Sequence, residues 1–222
     1  MYSKKSIVIT GGAGFIGSHV AKHFADKGHE VYVIDDLSSG DENYIKHPNI
    51  AFIKEDISLL DYEAEEKIDF ENVGLLIHCA AQTDVRKSME SPTWDAQVNV
   101  VGGLNVLDTV SAAATGKLQV IFLSSGGAVY DQEAKAPYVE ESPVNPISAY
   151  GLSKLTFEKY LIMMAKEWDY TYTILRLANV CGPRNKKGVI SIFENLMDNN
   201  ESIVVNGGDQ TRDYVHVFDV VS

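Results

Sequence analysis

The stretch Ser6–Gly17, SIVITGGAGFIG, decides the fold of this chain. A short apolar run, Ser6–Thr10, leads directly into glycines at positions 11, 14 and 17. In a strand–turn–helix unit the first glycine permits the tight turn, the second lets the backbone approach a diphosphate, and the third lets the helix pack on the strand. The N–H groups at the start of that helix attract phosphate. The pattern therefore predicts a dinucleotide site that includes Gly11, Gly14, Phe15, Ile16 and Gly17.

An acidic pair identifies the dinucleotide. Asp35 and Asp36 end the next apolar run, and Asp35 lies 18 residues beyond Gly17. A carboxylate at that distance accepts both ribose hydroxyls of NAD and repels the 2′-phosphate of NADP. The loop that follows contains Ser38, Ser39 and Gly40 but no arginine to hold a 2′-phosphate. We therefore predict NAD as the cofactor, with a purely structural turn as the alternative for the glycines alone.

Short β-branched runs alternate with amphipathic stretches along most of the chain. This alternation predicts an α/β fold, a Rossmann-like doubly wound parallel sheet. The predicted strands are Ser6–Thr10, Glu30–Ile34, Ile50–Lys54, Val73–Cys79, Gln119–Ser124 and Thr171–Leu177, and the predicted helices are Gly14–Lys27, Ser58–Ile68, Pro92–Ala114 and Ala149–Trp168. We assign residues 1–177 to an NAD-binding domain. Residues 178–222, with a short helix at Val189–Leu196 and a strand at Ser202–Val205, are assigned to the start of a substrate-binding region.

A tyrosine and a lysine open the last predicted helix of the NAD-binding domain. Tyr150 and Lys154 are four residues apart and so share a helix face. A free tyrosine has a pKa of about 10, and a neighbouring cation favours its phenolate, which can then act as a general base. Ser124 and Ser125 end the preceding strand and can reach the same site. Taken alone, this spacing is also common on solvated helix faces.

Composition narrows the possible partners and compartments. Of the 222 residues, 31 are acidic and 19 basic, giving a net charge of −12, which argues against nucleic acid and anionic membranes as partners. No apolar run is long enough to cross a bilayer or to serve as a secretory signal. The only cysteines, Cys79 and Cys181, suggest no disulfide framework, which fits the cytoplasm. His19 and His23 have a zinc-like spacing, but no third ligand is evident, and we predict no metal site.

These segments together resemble the extended short-chain dehydrogenase/reductase family, in particular its nucleotide-sugar 4-epimerases. The resemblance covers essentially the whole chain and rests on TGGAGFIGSH at 10–19, DDLSSG at 35–40, HCAAQ at 78–82, SSGGAVY at 124–130, the Tyr150–Lys154 segment, LRLANVCGP at 175–183 and TRDYVHVFD at 211–219. It implies catalysis by Tyr150, Lys154 and Ser125. It also implies further cofactor contacts from Asp56, Ile57, Ala80, Ala81, Gln82, Asn99 and Ser124. Asn179 and Arg212 are implied to bind a UDP-sugar, and a homodimer is implied to form through two long helices.

Two departures from the family pattern leave alternatives open. The family usually has a serine or threonine that bonds the sugar 4-oxygen, and Gly126 stands at that position, so Ser125 is expected to take over. Family members also continue well beyond the Arg212 segment, so we expect this chain to bind NAD well but UDP-sugars weakly, with slow turnover. The alternatives are a dehydratase, which Gly127 and Ala128 disfavour, an NADP-linked reductase, which Asp35 disfavours, and a non-catalytic NAD-binding protein.

Overall fold

A six-stranded parallel sheet forms the centre of the computed structural model, which describes residues 5–60, 68–205 and 207–222. Its strands are β1 (Ser6–Thr10), β2 (Val31–Asp35), β3 (Ile50–Lys54), β4 (Val73–His78), β5 (Leu118–Ser125) and β6 (Tyr170–Leu177). They lie in the order β3-β2-β1-β4-β5-β6, and every neighbouring pair is parallel. The predicted doubly wound α/β fold is confirmed. The order reverses between β1 and β4, where such sheets open a crevice at the carboxyl ends of their strands.

The strand predictions are confirmed with end differences of one residue at most. The reason is visible in the burial of the central strands. Every residue of β1 and β2 is buried, because helices cover both faces of the sheet. Such strands appear in the sequence as continuous apolar runs, and these are easy to distinguish from the surrounding helices.

Helices cover the two faces of the sheet with separate apolar cores. The helices that accompany this sheet are α1 (Phe15–Asp26), α2 (Val85–Glu90), α3 (Pro92–Ala96), α4 (Gly103–Ala113), α5 (Gly126–Val129) and α6 (Ala149–Met164), with 3-10 turns at Glu42–Ile45 and Phe70–Asn72. Val20, Ala21 and Ala25 of α1 pack against one face. On the other face, α4 and α6 enclose a core in which the rings of Phe122 and Phe157 lie 4.7 Å apart.

Two helix predictions need correction, and one cannot be assessed. The single helix predicted over 92–114 is divided by a π-helical segment, Gln97–Gly102, which joins α3 to α4. The helix predicted over 149–168 ends earlier, at Met164, because residues 165–169 form turns. The short helices α2 and α5 were not predicted, because their residues lack a clear apolar stripe. The helix predicted at 58–68 lies largely outside the described residues; Ser58 and Leu59 form part of a turn.

The region after β6 adds a small sheet and two helices. Here β7 (Asn179–Cys181) pairs in parallel with β8 (Tyr214–His216), and these are accompanied by α7 (Val189–Asp198) and α8 (Val217–Val221). The predicted helix at 189–196 is confirmed, but the strand predicted at 202–205 is wrong, because these residues run as an exposed segment with no sheet partner in the described structure. Helix α8 returns to pack on α1, and Val217 is completely buried. Among the described residues, no helix is long and apolar enough to cross a bilayer.

Candidate cofactor and catalytic site

The glycine loop lies at the crevice between β1 and β4 and has the shape that a diphosphate needs. Gly11 has a φ of +64°, and a Cβ there would lie 2.6 Å from the Ala80 main-chain nitrogen. A Cβ on Gly17 would overlap the Gly11 carbonyl, so both positions require glycine. No side chain caps α1, which begins after Gly14. The first-turn N–H groups of a helix have no partner within the helix and remain available to an anion.

Asp35 stands beside this loop with its carboxylate already oriented. It is 8% exposed, and its two oxygens accept hydrogen bonds from the main-chain nitrogens of Ala13 at 3.0 Å and Leu37 at 2.8 Å. Burial raises the pKa of this carboxyl, whereas those two hydrogen bonds lower it. Each carboxylate oxygen keeps a free lone pair for a ribose hydroxyl. Asp36 differs, because its oxygen accepts from both the nitrogen and the hydroxyl of Ser38.

Asp56 and Ile57 follow β3, and the side chains of both contact other residues of the protein. The Asp56 carboxylate accepts from the nitrogen and hydroxyl of Ser58, both at 2.8 Å, and so closes a turn. The Ile57 side chain is buried in the core, where Gly102 of the π-helical segment leaves room for it. The predicted adenine contacts of these two residues stay predictions.

Asn99 and Gln82 form a clamp under the loop that follows β4. The Asn99 side-chain oxygen accepts from the Gln82 nitrogen at 2.8 Å, and the Asn99 amide donates to the Gln82 carbonyl at 3.0 Å. The Gln82 side chain in turn donates to Asp95 at 2.8 Å. Both predicted cofactor contacts therefore have their side chains engaged within the protein. Their evident effect is to fix the path of the main chain from Ala80 to Gln82.

The two adjacent serines at the end of β5 have different partners. Ser124 donates its hydroxyl to the buried Glu158 carboxylate at 2.5 Å, so this predicted cofactor residue has only its main chain left to offer. The Ser125 hydroxyl forms a hydrogen bond with the Tyr150 phenol. A Cβ on Gly126 would lie 2.9 Å from the Arg176 carbonyl oxygen, so this backbone has no room for the usual serine or threonine there. Ser125 is thus the hydroxyl that accompanies Tyr150.

Tyr150 and Lys154 share a face of α6, as their spacing predicts. The Lys154 side chain is 4% exposed, and its ammonium donates to the Leu123 carbonyl at 2.9 Å and lies 6.0 Å from the centre of the Tyr150 ring. Burial lowers the pKa of Lys154 to about 8. The pKa of Tyr150 differs from the expectation: burial and the charge of Asp95 raise it, and the bond from Ser125 opposes them.

Three polar residues at this site were missed by the sequence analysis. Ser88 of α2 accepts a hydrogen bond from the Tyr150 main-chain nitrogen at 3.1 Å. Asp95 and Glu158 are buried carboxylates whose hydrogen bonds hold the neighbouring elements together. Their spacing offered a signal, because Asp95 lies one helical turn before Asn99 and Glu158 one turn after Lys154.

The predicted substrate residues lie beyond β6 and are exposed. Asn179 begins β7, and its side-chain amide donates to the Asp213 carbonyl at 3.1 Å. Arg212 precedes β8, and its guanidinium donates to the Thr211 carbonyl at 2.7 Å. The pairing of β7 with β8 therefore brings the two segments together, although they lie 33 residues apart in the chain.

On α1, His19 contacts the region that follows β6. The His19 ring bonds the Pro183 carbonyl at 3.0 Å and packs edge-on against Phe218. It therefore fixes the region after β6 to helix α1. Within the described ranges, no three His, Cys, Asp or Glu residues are grouped so that they could hold a metal ion.

The fold and this site together define an NAD-binding protein of the Rossmann type. Residues 7–222 match the NAD dependent epimerase/dehydratase family, and the chain belongs to it. Accordingly, NAD is its cofactor, and the glycine loop and Asp35 fit that group.

Similarity to individual proteins points the same way. A putative UDP-glucose 4-epimerase of Methanocaldococcus jannaschii is 42% identical over 219 residues, an alignment that covers 96% of this chain and 70% of that protein. The crystal structure of UDP-glucose 4-epimerase from Thermotoga maritima with UDP-glucose is 39% identical with a TM-score of 0.89, covering 97% of this chain and 71% of that one. The Thermus thermophilus UDP-glucose 4-epimerase in complex with NAD is 33% identical with a TM-score of 0.86, covering 97% and 72%.

Proposed function

We propose that this chain is a UDP-sugar 4-epimerase of the UDP-glucose 4-epimerase type. The observation that carries the proposal is the contact between the Ser125 hydroxyl and the Tyr150 phenol, with the Lys154 ammonium buried beside them. These groups lie where β5 ends, on the side of the sheet formed by the carboxyl ends of its strands, where the glycine loop also lies. The similarity to epimerases supports the same conclusion.

The residues divide the acid–base work of the reaction. When bound, NAD⁺ accepts and returns the hydride of sugar C4 and brings a positively charged ring to the site. Tyr150 takes the proton of the sugar 4-hydroxyl and gives it back after the 4-keto sugar has turned its other face. Ser125 holds the 4-oxygen during both transfers. Proton and hydride both return to the sugar, so the reaction inverts C4 without net oxidation.

Lys154, together with the positive charge that NAD⁺ would bring, makes this use of Tyr150 possible at neutral pH. Without a nearby cation, a phenol whose pKa is raised by burial stays protonated and cannot accept the substrate proton. The buried ammonium on the same helix face favours the phenolate. We also assign Lys154 a hydrogen bond to the nicotinamide ribose, and Asn179 and Arg212 the nucleotide-sugar contacts, where a guanidinium suits a diphosphate.

A dimer is part of this proposal. Apolar side chains stand exposed on α2, α3 and the π-helical segment and on the outer side of α6: Met89, Trp94, Val101, Leu152, Ile162 and Met163. Two copies that pair these surfaces into a four-helix bundle would bury them.

Cys79 and Cys181 carry free thiols, which supports a cytoplasmic location.

Other reactions of the family place different groups beside the tyrosine. A dehydratase needs an acidic pair just after the serine segment, and here Gly127 and Ala128 of α5 occupy that place. An NADP-linked reductase needs a cation for the 2′-phosphate, whereas Asp35 presents a carboxylate. The epimerase proposal therefore fits the described side chains better than either.

The test is a 4-epimerisation assay with UDP-glucose, UDP-N-acetylglucosamine and UDP-glucuronate, run with added NAD to an end point that detects slow turnover. We expect interconversion of at least one 4-epimer pair. Tyr150→Phe should lower its rate by about 10²–10⁴-fold, the usual effect of losing a general base, while calorimetry shows NAD binding retained. No conversion of any of the three sugars by NAD-loaded protein, or full activity of the phenylalanine variant, would refute the proposal.

A further inference from the structure

Asp95 is a completely buried carboxylate at the junction of three segments of the site. It accepts hydrogen bonds from the Ser153 hydroxyl at 2.6 Å, the Gln82 amide at 2.8 Å and the Asn99 amide at 3.1 Å. These donors belong to α6, to the loop after β4 and to the π-helical segment. Three donors around one acceptor group fit an ionised carboxylate.

The contact with Ser153 places Asp95 against helix α6, which carries Tyr150 and Lys154. Ser153 immediately precedes Lys154, so its bond to Asp95 fixes the turn of α6 that carries the ammonium. Lys154 itself is buried, with its ammonium 4.7 Å from the centre of the Phe122 ring and 2.9 Å from the Leu123 carbonyl. A neutral carbonyl and a ring face compensate only part of the cost of burying a charge.

The other titratable groups that face Lys154 contribute little net charge. From β4, His78 is neutral at pH 7 because burial lowers its pKa to about 3. Its neighbour Cys79 is also neutral, because burial raises the thiol pKa to about 12. On α6, Tyr150 is a neutral phenol, and Glu158 is paired with Arg176 at 2.7 Å. Among the described residues, the structure gives Asp95 no ion-pair partner within 4 Å.

We propose that Asp95 is a positioning residue for Lys154: it anchors the turn of α6 that carries the lysine and supplies the negative charge that keeps the buried ammonium protonated. The proposal rests on the proposed function only in the role given to Lys154. Because burial moves the pKa of Lys154 down to about 8 even with that negative charge in place, loss of the charge would lower it further and favour the neutral amine at pH 7.

The test is an NMR titration of Lys154 in protein labelled with ¹³C at lysine Cε, with Lys154→Arg used to assign the signal. We expect a pKa of about 8 in the wild type and a clearly lower one in Asp95→Asn. Ser153→Ala is the matched control: it removes one hydrogen bond to Asp95 but keeps the charge, so its pKa should stay at about 8.

The direction of the change separates this role from simple loosening of the structure. If Asp95 only held the fold, its loss would admit water and the pKa of Lys154 would rise towards 10.5; that result, or no change, overturns the proposal. If Asp95→Asn does not fold, the wild type still decides, because its Asp95 ¹³Cγ signal must show a step centred near pH 8 as Lys154 loses its proton. A flat trace overturns the proposal. The epimerase assay is read separately, so failure of either idea leaves the other standing.

Discussion

Ser124 and Ser125 are neighbours in the sequence but lie in different environments. Successive side chains of a strand point to opposite faces of the sheet. The hydroxyl of Ser124 therefore meets Glu158, whereas that of Ser125 meets Tyr150. The sequence analysis placed both serines in the site, and the alternation of side chains along the strand gives them different partners.

These two serines allow a matched comparison. In Ser125→Ala the Tyr150 phenol loses a hydrogen bond that lowers its pKa, so that pKa should rise, and kcat should fall by about 10²-fold. Ser124→Ala should leave the pKa of Tyr150 unchanged and instead lower the free energy of unfolding by about 1–3 kcal/mol, because a bond to the buried Glu158 is lost. Tyrosine ¹³Cζ NMR and denaturant unfolding measure the two effects. Equal effects of both substitutions on Tyr150 would contradict the assignment.

His78 gives the fold a specific weakness in acid. Its ring is 2% exposed and lies 2.7 Å from the Thr10 hydroxyl, and burial lowers its pKa from 6.5 to about 3. The unfolded chain therefore takes up a proton between pH 6.5 and 3 that the folded chain excludes. Stability is accordingly lost as pH falls through this window, by on the order of 5 kcal/mol.

The acid effect can be isolated with a residue that does not titrate. We expect His78→Asn, which keeps an acceptor for Thr10, to show a smaller loss of unfolding free energy between pH 6.5 and 3 than the wild type does. His23→Asn, on α1, should follow the wild-type curve. Urea unfolding across this pH range gives the comparison, and parallel curves for His78→Asn and the wild type would exclude His78 as the cause.

Helix α6 is joined to the sheet by a buried ion pair. Glu158, which is 1% exposed, accepts from Arg176 of β6 at 2.7 and 3.1 Å, and the guanidinium also reaches the Glu140 carbonyl and the Tyr130 ring. Arg176 thus links helix α6 to the segment before it, which contains Tyr130 and Glu140. Four-residue steps place Tyr150, Lys154 and Glu158 on one face, so this link sits one turn from the lysine.

Breaking the pair on one side should cost more than removing it altogether. Glu158→Met or Arg176→Met leaves an unpaired charge in a mostly buried place and should lower the free energy of unfolding by about 3–5 kcal/mol. The double variant leaves neither charge. Its loss of unfolding free energy should therefore be smaller than the sum of the losses in the two single variants. Denaturant unfolding of all four proteins completes the cycle. Additive losses would mean that the two side chains do not interact.

The whole molecule combines the six-stranded sheet and its helices with a smaller region that packs back on them. All six strands of the main sheet lie before residue 178. The smaller region attaches through α8, whose Val217 is completely buried, and through Arg184, which donates to Ser18 of α1 at 2.8 Å. We therefore propose the division at residues 177 and 178 as a functional one, with stability shared across it.

A shortened chain ending at Leu177 tests this division. It should unfold cooperatively and bind NAD, because the sheet and the glycine loop are intact. Its free energy of unfolding should fall by at least about 1.5–3 kcal/mol, the contribution of one buried valine. Val217→Ala in the 222-residue chain should reproduce a smaller part of this loss. Calorimetry and denaturant unfolding measure both, and a shortened chain that fails to fold would show that the division is wrong.

Local sequence patterns predicted most of the fold. Continuous apolar runs marked the central strands β1 and β2 because every one of their residues is buried. The glycine spacing marked the first turn because a side chain at Gly11 or Gly17 would collide with backbone. The strand wrongly expected at 202–205 shows the limit of such patterns. An isolated apolar run becomes a strand only where a neighbouring edge accepts its hydrogen bonds, and β7 instead pairs with β8.

The sequence alone determined the sheet, the NAD loop and the Tyr150–Lys154 face, because each depends on spacings within a few residues. The tertiary structure decided what depends on distant contacts: that Ser125 rather than Ser124 meets Tyr150, that Asn99 holds the Gln82 main chain, and that Asp95 lies buried behind Lys154. The physical reason is that burial sets the charge states here. The pKa of Lys154 moves to about 8, and that of Tyr150 rises, only when the helix packs against the sheet and water is excluded.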